Sequence, residues 1–518
     1  MKKAICLKTV FFLFLLLVEP LNAQVFPSLE AAPQAYEYAR RIEGNNTRWL
    51  DLAEISLWAS AVNAGQGAEV KAASYLDRIK SAVEELSASA LPQNPKERGE
   101  AVLTFLHKKF LKSYSEFQTR VDEVFISGRY NCVSSAVLYM VFCISAGLEV
   151  EGVMTRDHAF VSVRAGSEAI DVETTNPYGF DPGNRKEFHD AFGKTTGFAY
   201  VSAKNYRDRT VISAAEMVSL ILSNRIAILE KGNRFADAVP LAINRAVLLS
   251  GGESPIAFVR QAENTGPPAA QAQNASAQRN TGNKTEFFED PQKDLMNRLQ
   301  NLGAFYVKNG KDDDAIAWAE YAGNHFPDSQ RWQELIKTAA NNKLVRLIRS
   351  KKTSDARSAL TALKGKLNSN HYAELDIMVL EAEVADKVNN IRKPGDIDAA
   401  LAFLIQSWDR LPADRREEMR SVAVLAETDR YGKAKDWHGG MRYLSGAIEK
   451  YGTNTRLENA MRIMRQNRVS ELHNEFAALF NKRDYNGAKA SVQKSLQEFP
   501  EEKQLLQDLI LVEKALQQ

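Results

Sequence analysis

Residues 130–182 read YNCVSSAVLYMVFCISAGLEVEGVMTRDHAFVSVRAGSEAIDVETTNPYGFDP, and a change of hydrophobic period within them predicts the central part of the fold. Asn131 is a good helix N-cap, because its side-chain oxygen accepts hydrogen bonds from free backbone N–H groups in the next turn. Apolar residues follow at helical spacing as far as Ile144, which predicts a helix buried on nearly all sides with Cys132 in its first turn. Gly147 readily adopts left-handed backbone, so the helix is expected to end there.

Beyond this helix the hydrophobic pattern takes the period of a β-strand. Residues 150–154 form a short extended run, and a clean alternation begins at His158. The sequence AGS at 165–167 is a turn signal, after which the alternation resumes. In a hairpin with a two-residue loop, the numbers of paired residues sum to an odd value. Even-numbered His158 is therefore expected to share a face of the hairpin with odd-numbered Asp171 and Glu173.

A thiol, an imidazole and a carboxylate are thus predicted to meet, namely those of Cys132, His158 and either Glu173 or Asp171. A helix N-terminus and a neighbouring imidazolium both favour the thiolate, which is the nucleophilic form of a cysteine. The imidazole takes the thiol proton and later gives one to a leaving amine, while the carboxylate holds the ring in the useful tautomer. The backbone N–H of Cys132 is suited to stabilise an oxyanion. These roles predict a Cys-His-acid catalytic triad.

The order of these residues resembles that of the transglutaminase-like enzymes of the papain-like thiol superfamily. The match consists of the helix cysteine, the run HAFVSV from His158 and a strand that ends in an acid-x-Thr triplet, and it covers roughly residues 96–180. The resemblance implies an α+β domain in which helices pack on an antiparallel sheet. It also implies that a thiolate attacks a peptide or protein amide, that an amine leaves, and that the acyl group passes to water or to another amine.

Two positions differ from the usual pattern of that family. The family's acid is usually an Asp in a D-P-T triplet, whereas the matching triplet here is Glu173-Thr174-Thr175. Asp171 lies two residues earlier on the same face and is the alternative partner for the imidazole, but the strand register favours Glu173. The sequence YN stands where the family commonly has a glycine before its cysteine.

The composition argues against several classes of function. The 518 residues include 67 basic and 65 acidic side chains, a balance that gives no field favouring nucleic acid or an anionic membrane surface. No Cys/His spacing typical of zinc sites occurs and the 7 histidines are scattered, so neither a metal nor another cofactor is expected. A chain of this length is too long for a single core and predicts two or three domains.

Residues 1–23 have the pattern of a bacterial signal peptide. Lysines precede an apolar run at residues 9–18, and the sequence EPLNA leads to a predicted cleavage after Ala23. The apolar run is too short for a comfortable transmembrane helix. We therefore expect a periplasmic or secreted protein with no transmembrane anchor after signal cleavage.

Cleavage of the signal peptide leaves two cysteines, Cys132 and Cys143, which cannot pair with each other. Eleven residues along one helix separate their Cα atoms by about 16 Å at a rise of 1.5 Å per residue. A disulfide needs Cα atoms within about 7 Å. Cys143 is expected in the core, and an unpaired Cys132 in an exported protein fits a reactive cysteine better than a disulfide scaffold.

Residues 24–213 are predicted to form the transglutaminase-like domain, including helices that precede the cysteine. Three segments carry apolar stripes at helical spacing, RWLDLAEISLWASAV, EVKAASYLDRIKSAVEELSAS and ERGEAVLTFLHKKFLKSY. They are expected to form the helical layer that packs against the sheet. His107 stands beside two lysines and is expected at the surface. Residues 198–203 and 206–213 are predicted as further strands.

From Ala214 onward the chain is predicted to be all-α and to repeat. One segment fits a tetratricopeptide unit, with matching residues at Leu299, Leu302, Gly303, Tyr306, Ala315, Ala319, Ala322 and Pro327. Weaker copies with longer steps predict degenerate tetratricopeptide-like helix pairs, one at 214–252 and the others in a solenoid at 291–518. Residues 253–290 between them are rich in small and polar residues and are predicted to form a disordered linker.

Two functions from different classes fit these features. The first is an exported transglutaminase-like cysteine hydrolase or acyltransferase acting on peptide or protein amides, with a solenoid that holds a protein substrate or partner. The second is a periplasmic tetratricopeptide-like scaffold whose enzyme-like domain is catalytically degenerate. The presence of Cys132, His158 and an acid favours the first, because a scaffold has no reason to keep all three. The unusual acid and the large share of repeats favour the second.

Overall fold

A computed structural model describes most of the chain. The described residues are 26–42, 47–65, 67–155, 158–183, 186–196, 209–257, 290–326, 329–390 and 396–517. The predicted signal peptide, most of the predicted linker and the predicted strand at 198–203 lie outside these residues. The chain forms two compact units, residues 1–339 and residues 340–518, and the division falls within one helix, Ser329–Arg349.

The first unit contains helices and a small amount of sheet. Its helices are α1 Pro33–Arg41, α2 Trp49–Ala61, α3 Ala68–Ala88, α4 Pro95–Lys109, α5 Val121–Ser127, α6 Cys132–Ser145, α7 Lys186–Thr196, α8 Ala214–Lys231, α9 Phe235–Leu249, α10 Pro291–Lys308, α11 Asp312–His325 and the first part of α12 Ser329–Arg349. Its strands are β1 Ser113–Tyr114, β2 Arg129–Tyr130, β3 Glu149–Met154, β4 Ala159–Ala165, β5 Glu168–Val172 and β6 Thr210–Ile212.

The main sheet is antiparallel, with its strands in the order β5-β4-β3-β6. In the β4–β5 hairpin, Val161 pairs with Val172 and Ala165 pairs with Glu168, so the paired numbers sum to an odd value as the sequence predicts. Gly166 in the two-residue loop has a φ of +64°, a left-handed conformation that favours glycine at this position. A second, two-stranded parallel sheet joins β1 to β2 directly before α6.

Helix α6 lies at the centre of the first unit. It contacts β3 and β4 of the sheet as well as the helices α2, α4, α5 and α8. Eleven consecutive residues, from Val133 to Cys143, are buried, which confirms the predicted burial on nearly all sides. Gly147 follows the helix with a φ of +73°, in the left-handed conformation expected of a residue that ends a helix.

Helices on the two sides of residues 258–289 pack against each other within the first unit. Arg245 of α9 and Asp294 of α10 form a buried ion pair, with 2.6 Å between Nη1 and Oδ2. Near the start of the described chain, the ring of Phe26 lies 5.5 Å from that of Trp318 and 5.6 Å from that of Tyr321. The helix pair α10–α11 is therefore held both by α9 and by the N-terminal segment.

The second unit is helical throughout its described residues. Its helices are the remainder of α12, α13 Thr353–Ala362, α14 Ser369–Asn389, α15 Asp396–Gln406, α16 Ala413–Lys433, α17 Trp437–Tyr451, α18 Thr455–Asn481, α19 Tyr485–Glu498 and α20 Lys503–Leu516. Three apolar clusters join the helices from α14 onward, formed by α14–α16, by α16–α18 and by α18–α20. Each cluster begins on the helix where the preceding one ends, so the helices pack serially along the chain.

At a coarse level, the sequence expectation of fold class is confirmed. The described chain is mostly helical, with a small antiparallel sheet among the helices of its first part and only helices from Ala214 onward. Among the residues described, no helix has the length and apolar character needed to span a membrane.

Cleavage between residues 258 and 289, at an introduced protease site, is expected to leave two fragments that remain associated. The buried Arg245–Asp294 pair and the packing of Phe26 on α11 join the fragments without the covalent connection. Size-exclusion chromatography of the nicked protein should show one peak that contains both fragments. The fragments of the nicked double variant Phe26→Ala/Arg245→Met should dissociate more readily. Separate elution of the two fragments of the unsubstituted protein would contradict this packing.

Candidate active site

The thiol of Cys132 lies at the N-terminus of α6, where it is free and partly exposed. The Asn131 side chain accepts hydrogen bonds from the backbone N–H groups of Val133 and Ser134 at 3.1 and 3.0 Å. The Ser134 hydroxyl accepts in return from the Asn131 N–H, which completes a capping box. This cap fixes the helix start, so the partial positive charge of the helix N-terminus acts at the thiol.

The carboxylate of Glu173 is buried and has a partner on each oxygen. Its side chain is 3% exposed, and Oε2 lies 2.6 Å from His158 Nε2. Oε1 accepts hydrogen bonds from Thr175 Oγ1 at 2.8 Å and from Thr175 N at 3.3 Å. A carboxylate only accepts, so Nε2 of the neutral ring carries the proton and Nδ1 is the nitrogen left to face the thiol.

His158 lies between the thiol and the carboxylate. Burial by itself would lower the pKa of His158, but the charge of Glu173 and hydrogen bonds with Cys132 and Glu173 outweigh burial and hold that pKa well above its ordinary value. The imidazolium form is therefore favoured, and an imidazolium beside a thiol favours the thiolate. The structure thus brings together Cys132, His158 and Glu173.

Asp171 has a different partner. Its two carboxylate oxygens each accept a hydrogen bond of 2.6 Å from the guanidinium of Arg209. The same guanidinium lies over the ring of Phe160, 5.4 Å from its centroid. The sequence analysis left Asp171 open as the residue that orients His158, whereas the structure pairs it with a cation just before β6.

Glu173 begins a tight turn, residues 173–179, which we call the acid turn. The Glu173 N–H donates to Gly179 O at 2.8 Å, and the Gly179 N–H donates to Asn176 O at 3.0 Å. A Cβ atom on Gly179 would lie 1.9 Å from Glu173 O, so only glycine fits at this point of the turn.

Three side chains from outside the acid turn hold it in place. The Ser135 hydroxyl, one turn beyond the thiol on α6, lies 2.8 Å from Thr174 Oγ1. The Tyr130 hydroxyl donates to Thr175 O at 3.0 Å, and His107 Nε2 lies 3.1 Å from Thr174 O. These bonds connect the acid to α6, β2 and α4, and the sequence analysis identified none of them.

The prediction that His107 lies at the surface is wrong. His107 is half-buried on α4, and burial lowers its pKa to about 4 although hydrogen bonds with Thr174 and Leu111 act in the opposite direction. The neighbouring lysines point outward, but His107 follows buried Leu103 by four residues, on the apolar face of the helix. The four-residue spacing from Leu103 predicts burial of His107, whereas the prediction of exposure relied on the adjacent lysines.

Aromatic side chains surround the candidate site. The Phe192 ring, from α7, is nearly perpendicular to the His158 ring, with 6.4 Å between their centroids. Tyr114 lies opposite Tyr130 in the β1–β2 pair, with 6.2 Å between ring centroids. Burial, followed by the charges of Cys132, Glu116 and Glu173, raises the pKa of Tyr114, which keeps its hydroxyl protonated.

A second feature lies within the second unit, where α12, α14 and α16 line an apolar cavity of about 490 Å³. Its lining includes the flexible side chains of Met378 and Met419 and the exposed side chain of Val422. Arg415, which also lines the cavity, pairs with Glu381 at 3.2 Å and with Glu418 at 2.8 Å.

In the part of the chain that the structure describes, no group of three or more His, Cys, Asp or Glu side chains is arranged to hold a metal ion. No protein-family model matches the chain, and no curated protein matches it.

Replacement of His107 by Gln is expected to reduce the loss of stability in acid. An unfolded histidine binds its proton below a pH of about 6.5, whereas folded His107 binds it only below about 4. Between these values the unfolded chain binds more protons, so stability falls as the pH falls. The glutamine side chain of the variant does not titrate and keeps an N–H donor for Thr174 O. The free energy of unfolding in urea should therefore decrease less between pH 7 and pH 4 in His107→Gln, by up to about 3 kcal/mol. Equal decreases in the two proteins would contradict the burial of a neutral imidazole.

Proposed function

We propose that the chain is an exported cysteine hydrolase or acyltransferase of the transglutaminase-like type, acting on peptide or protein amides through Cys132, His158 and Glu173. The observation that carries the proposal is the continuous set of contacts from a partly exposed thiol, through His158, to a buried carboxylate. Export to a periplasm or beyond rests on the sequence of residues 1–23, and the transglutaminase-like fold rests on the residues of the 130–182 stretch.

The first step of the proposed reaction is attack of the Cys132 thiolate on an amide carbonyl carbon, which forms an S–C bond. Negative charge develops on the carbonyl oxygen. The Asn131 cap engages the N–H groups of Val133 and Ser134, while the N–H of Cys132 has no partner among the described residues. A free N–H at a helix N-terminus is suited to stabilise that oxyanion.

The second step is cleavage of the C–N bond, during which the His158 imidazolium gives a proton to the leaving amine. The thioester that remains on Cys132 is then attacked by water or by another amine, and His158 takes a proton from that nucleophile. The S–C bond breaks, so the acid or the new amide is released and the Cys132 thiolate is regenerated. Glu173 holds the ring throughout through its bond to Nε2, so Nδ1 is the nitrogen that remains for proton exchange with the sulfur. Hydrolysis and acyl transfer differ only in the second nucleophile.

The helices after Ala214 are proposed to be tetratricopeptide-like pairs that bind a protein substrate or partner. Serial packing of the second unit through three overlapping clusters is what a helical repeat requires. A scaffold without catalysis is the second candidate function, and the apolar cavity among α12, α14 and α16 favours it. Methionine side chains in such a cavity adapt to different apolar groups of a partner.

Alkylation by iodoacetamide at pH 6 is expected to separate these two functions. A free cysteine with a pKa of about 8.5 is only about 0.3% ionised at pH 6. An imidazolium-paired Cys132 should therefore react faster than a free cysteine, by up to about two orders of magnitude. Buried Cys143 should remain unmodified. Mass spectrometry of the digested protein distinguishes the two sites, and Cys132→Ser is the control for their assignment.

His158→Ala should shift the pH profile of this alkylation upward while circular dichroism shows an intact fold. Under the scaffold function, Cys132 would react at pH 6 no faster than a free cysteine, and its rate would not depend on His158. That result would remove the catalytic proposal.

The two acids are expected to differ in their effect on the thiol. Glu173→Gln removes the negative charge beside His158, so the rate of Cys132 alkylation at pH 6 should fall by at least about tenfold, towards that of a free cysteine. Asp171→Asn weakens a pair with Arg209 and should change the rate by less than about twofold. A larger effect of Asp171→Asn would assign the orienting role to Asp171, and two small effects would mean that neither acid acts on His158.

A further inference from the structure

The side chain of Glu173 is longer than that of the aspartate usual at this position of the resembled family. A glutamate is one methylene longer than the aspartate of the D-P-T triplet that the sequence resembles, and it has one more rotatable bond. A longer side chain has more rotamers to lose when it is ordered. A glutamate that serves as the triad acid therefore needs a group that fixes its carboxylate.

Thr175 has the position and the chemistry of such a group. Its hydroxyl donates to Glu173 Oε1 at 2.8 Å, and its N–H donates to the same oxygen at 3.3 Å. His158 takes the other oxygen at 2.6 Å. The two carboxylate oxygens are thus divided between an imidazole and a hydroxyl, and this division defines the orientation of the carboxylate plane.

Thr175 is itself held rigidly. It has no exposed surface, and its carbonyl accepts a hydrogen bond from the Tyr130 hydroxyl at 3.0 Å. The χ1 angle of a β-branched residue is stiff, so the hydroxyl has little freedom to move away from Glu173. The acid turn is closed on its other side by the bond from the Glu173 N–H to Gly179 O.

We infer that Thr175 is a positioning residue that holds Glu173 against His158 and so lets a glutamate serve as the acid of the triad. Its hydroxyl bonds to the carboxylate and acts on the thiol only through Glu173 and His158. The inference rests on the proposed function for its catalytic meaning, but the hydrogen-bond geometry that it asserts is measurable without catalysis.

Two near-isosteric substitutions in the full chain test the inference. Thr175→Val keeps the shape and removes the hydroxyl donor, whereas Thr175→Ser keeps the donor. Loss of a hydrogen bond to a charged group changes a rate or an equilibrium constant by about tenfold or more. Thr175→Val should therefore slow Cys132 alkylation at pH 6 by about tenfold, and Thr175→Ser should restore most of the rate. Thermal unfolding shows whether each variant remains folded.

A double substitution separates positioning from a general structural role. If Thr175 acts through Glu173, then Thr175→Val should cause no further loss of rate in the Glu173→Gln background. Where Cys132 of the unsubstituted chain reacts faster than a free cysteine, three results would each overturn the inference. These are a loss that persists in the Glu173→Gln background, a rate for Thr175→Val equal to that of the unsubstituted chain, and failure of Thr175→Ser to restore the rate.

A second measurement keeps the test valid if Cys132 proves unreactive. The short hydrogen bond from His158 to Glu173 should give a low-field N–H proton resonance, identified by its loss in Glu173→Gln. This resonance should be lost or shifted upfield in Thr175→Val and retained in Thr175→Ser. An unreactive thiol would remove the proposed function alone, whereas an unchanged resonance in Thr175→Val would overturn the role of Thr175.

Discussion

The hydrogen bond between His158 and Glu173 is the interaction on which the candidate site depends. A carboxylate withdrawn from water destabilises a fold by several kcal/mol unless its oxygens are paired. Glu173 is 2% exposed, and its oxygens are occupied by His158 at 2.6 Å and by Thr175 at 2.8 Å. This requirement determines the register of the hairpin as well. A slip of β5 by one residue would turn Glu173 to the opposite face of the sheet and break its hydrogen bond with His158.

The need to hold the buried Glu173 carboxylate with its oxygens paired also involves the helices. The acid turn is bonded to Ser135 of α6, so the segment that carries the acid and the helix that carries the thiol cannot move independently. His107 of α4 contacts the carbonyl oxygen of Thr174 in the same turn. A neutral imidazole is suited to this place, because a second charge close to Glu173 would compete with His158 for the carboxylate. Helix α4 therefore contributes to the polarity of the site through His107 as well as to the core.

The parts of the site that the sequence predicted are those determined by short-range rules. The Asn131 cap follows from the free N–H groups of a helix start, and the shared face of His158 and Glu173 follows from the two-residue period of a strand. Contacts between distant segments were not predictable in this way. Arg209 reaches Asp171 across 38 positions, and the packing of α9 on α10 crosses residues 258–289. Nothing in the local pattern around these residues specifies their partners, which only the tertiary structure determines.

The distribution of burial among Cys132, His158 and Glu173 supports the proposed catalysis over a purely structural role. Replacement of a buried charged pair by well-packed apolar side chains is often neutral or stabilises a protein by about 1–4 kcal/mol. A domain that served only for packing would therefore gain little stability from a buried His158–Glu173 pair. The thiol at the other end of the set is partly exposed, while the carboxylate is almost completely buried. A substrate can reach a nucleophile placed in this way, and water is kept from the acid that orients the imidazole. The proposed nucleophilic site requires that gradient, which a structural hydrogen-bond network does not need.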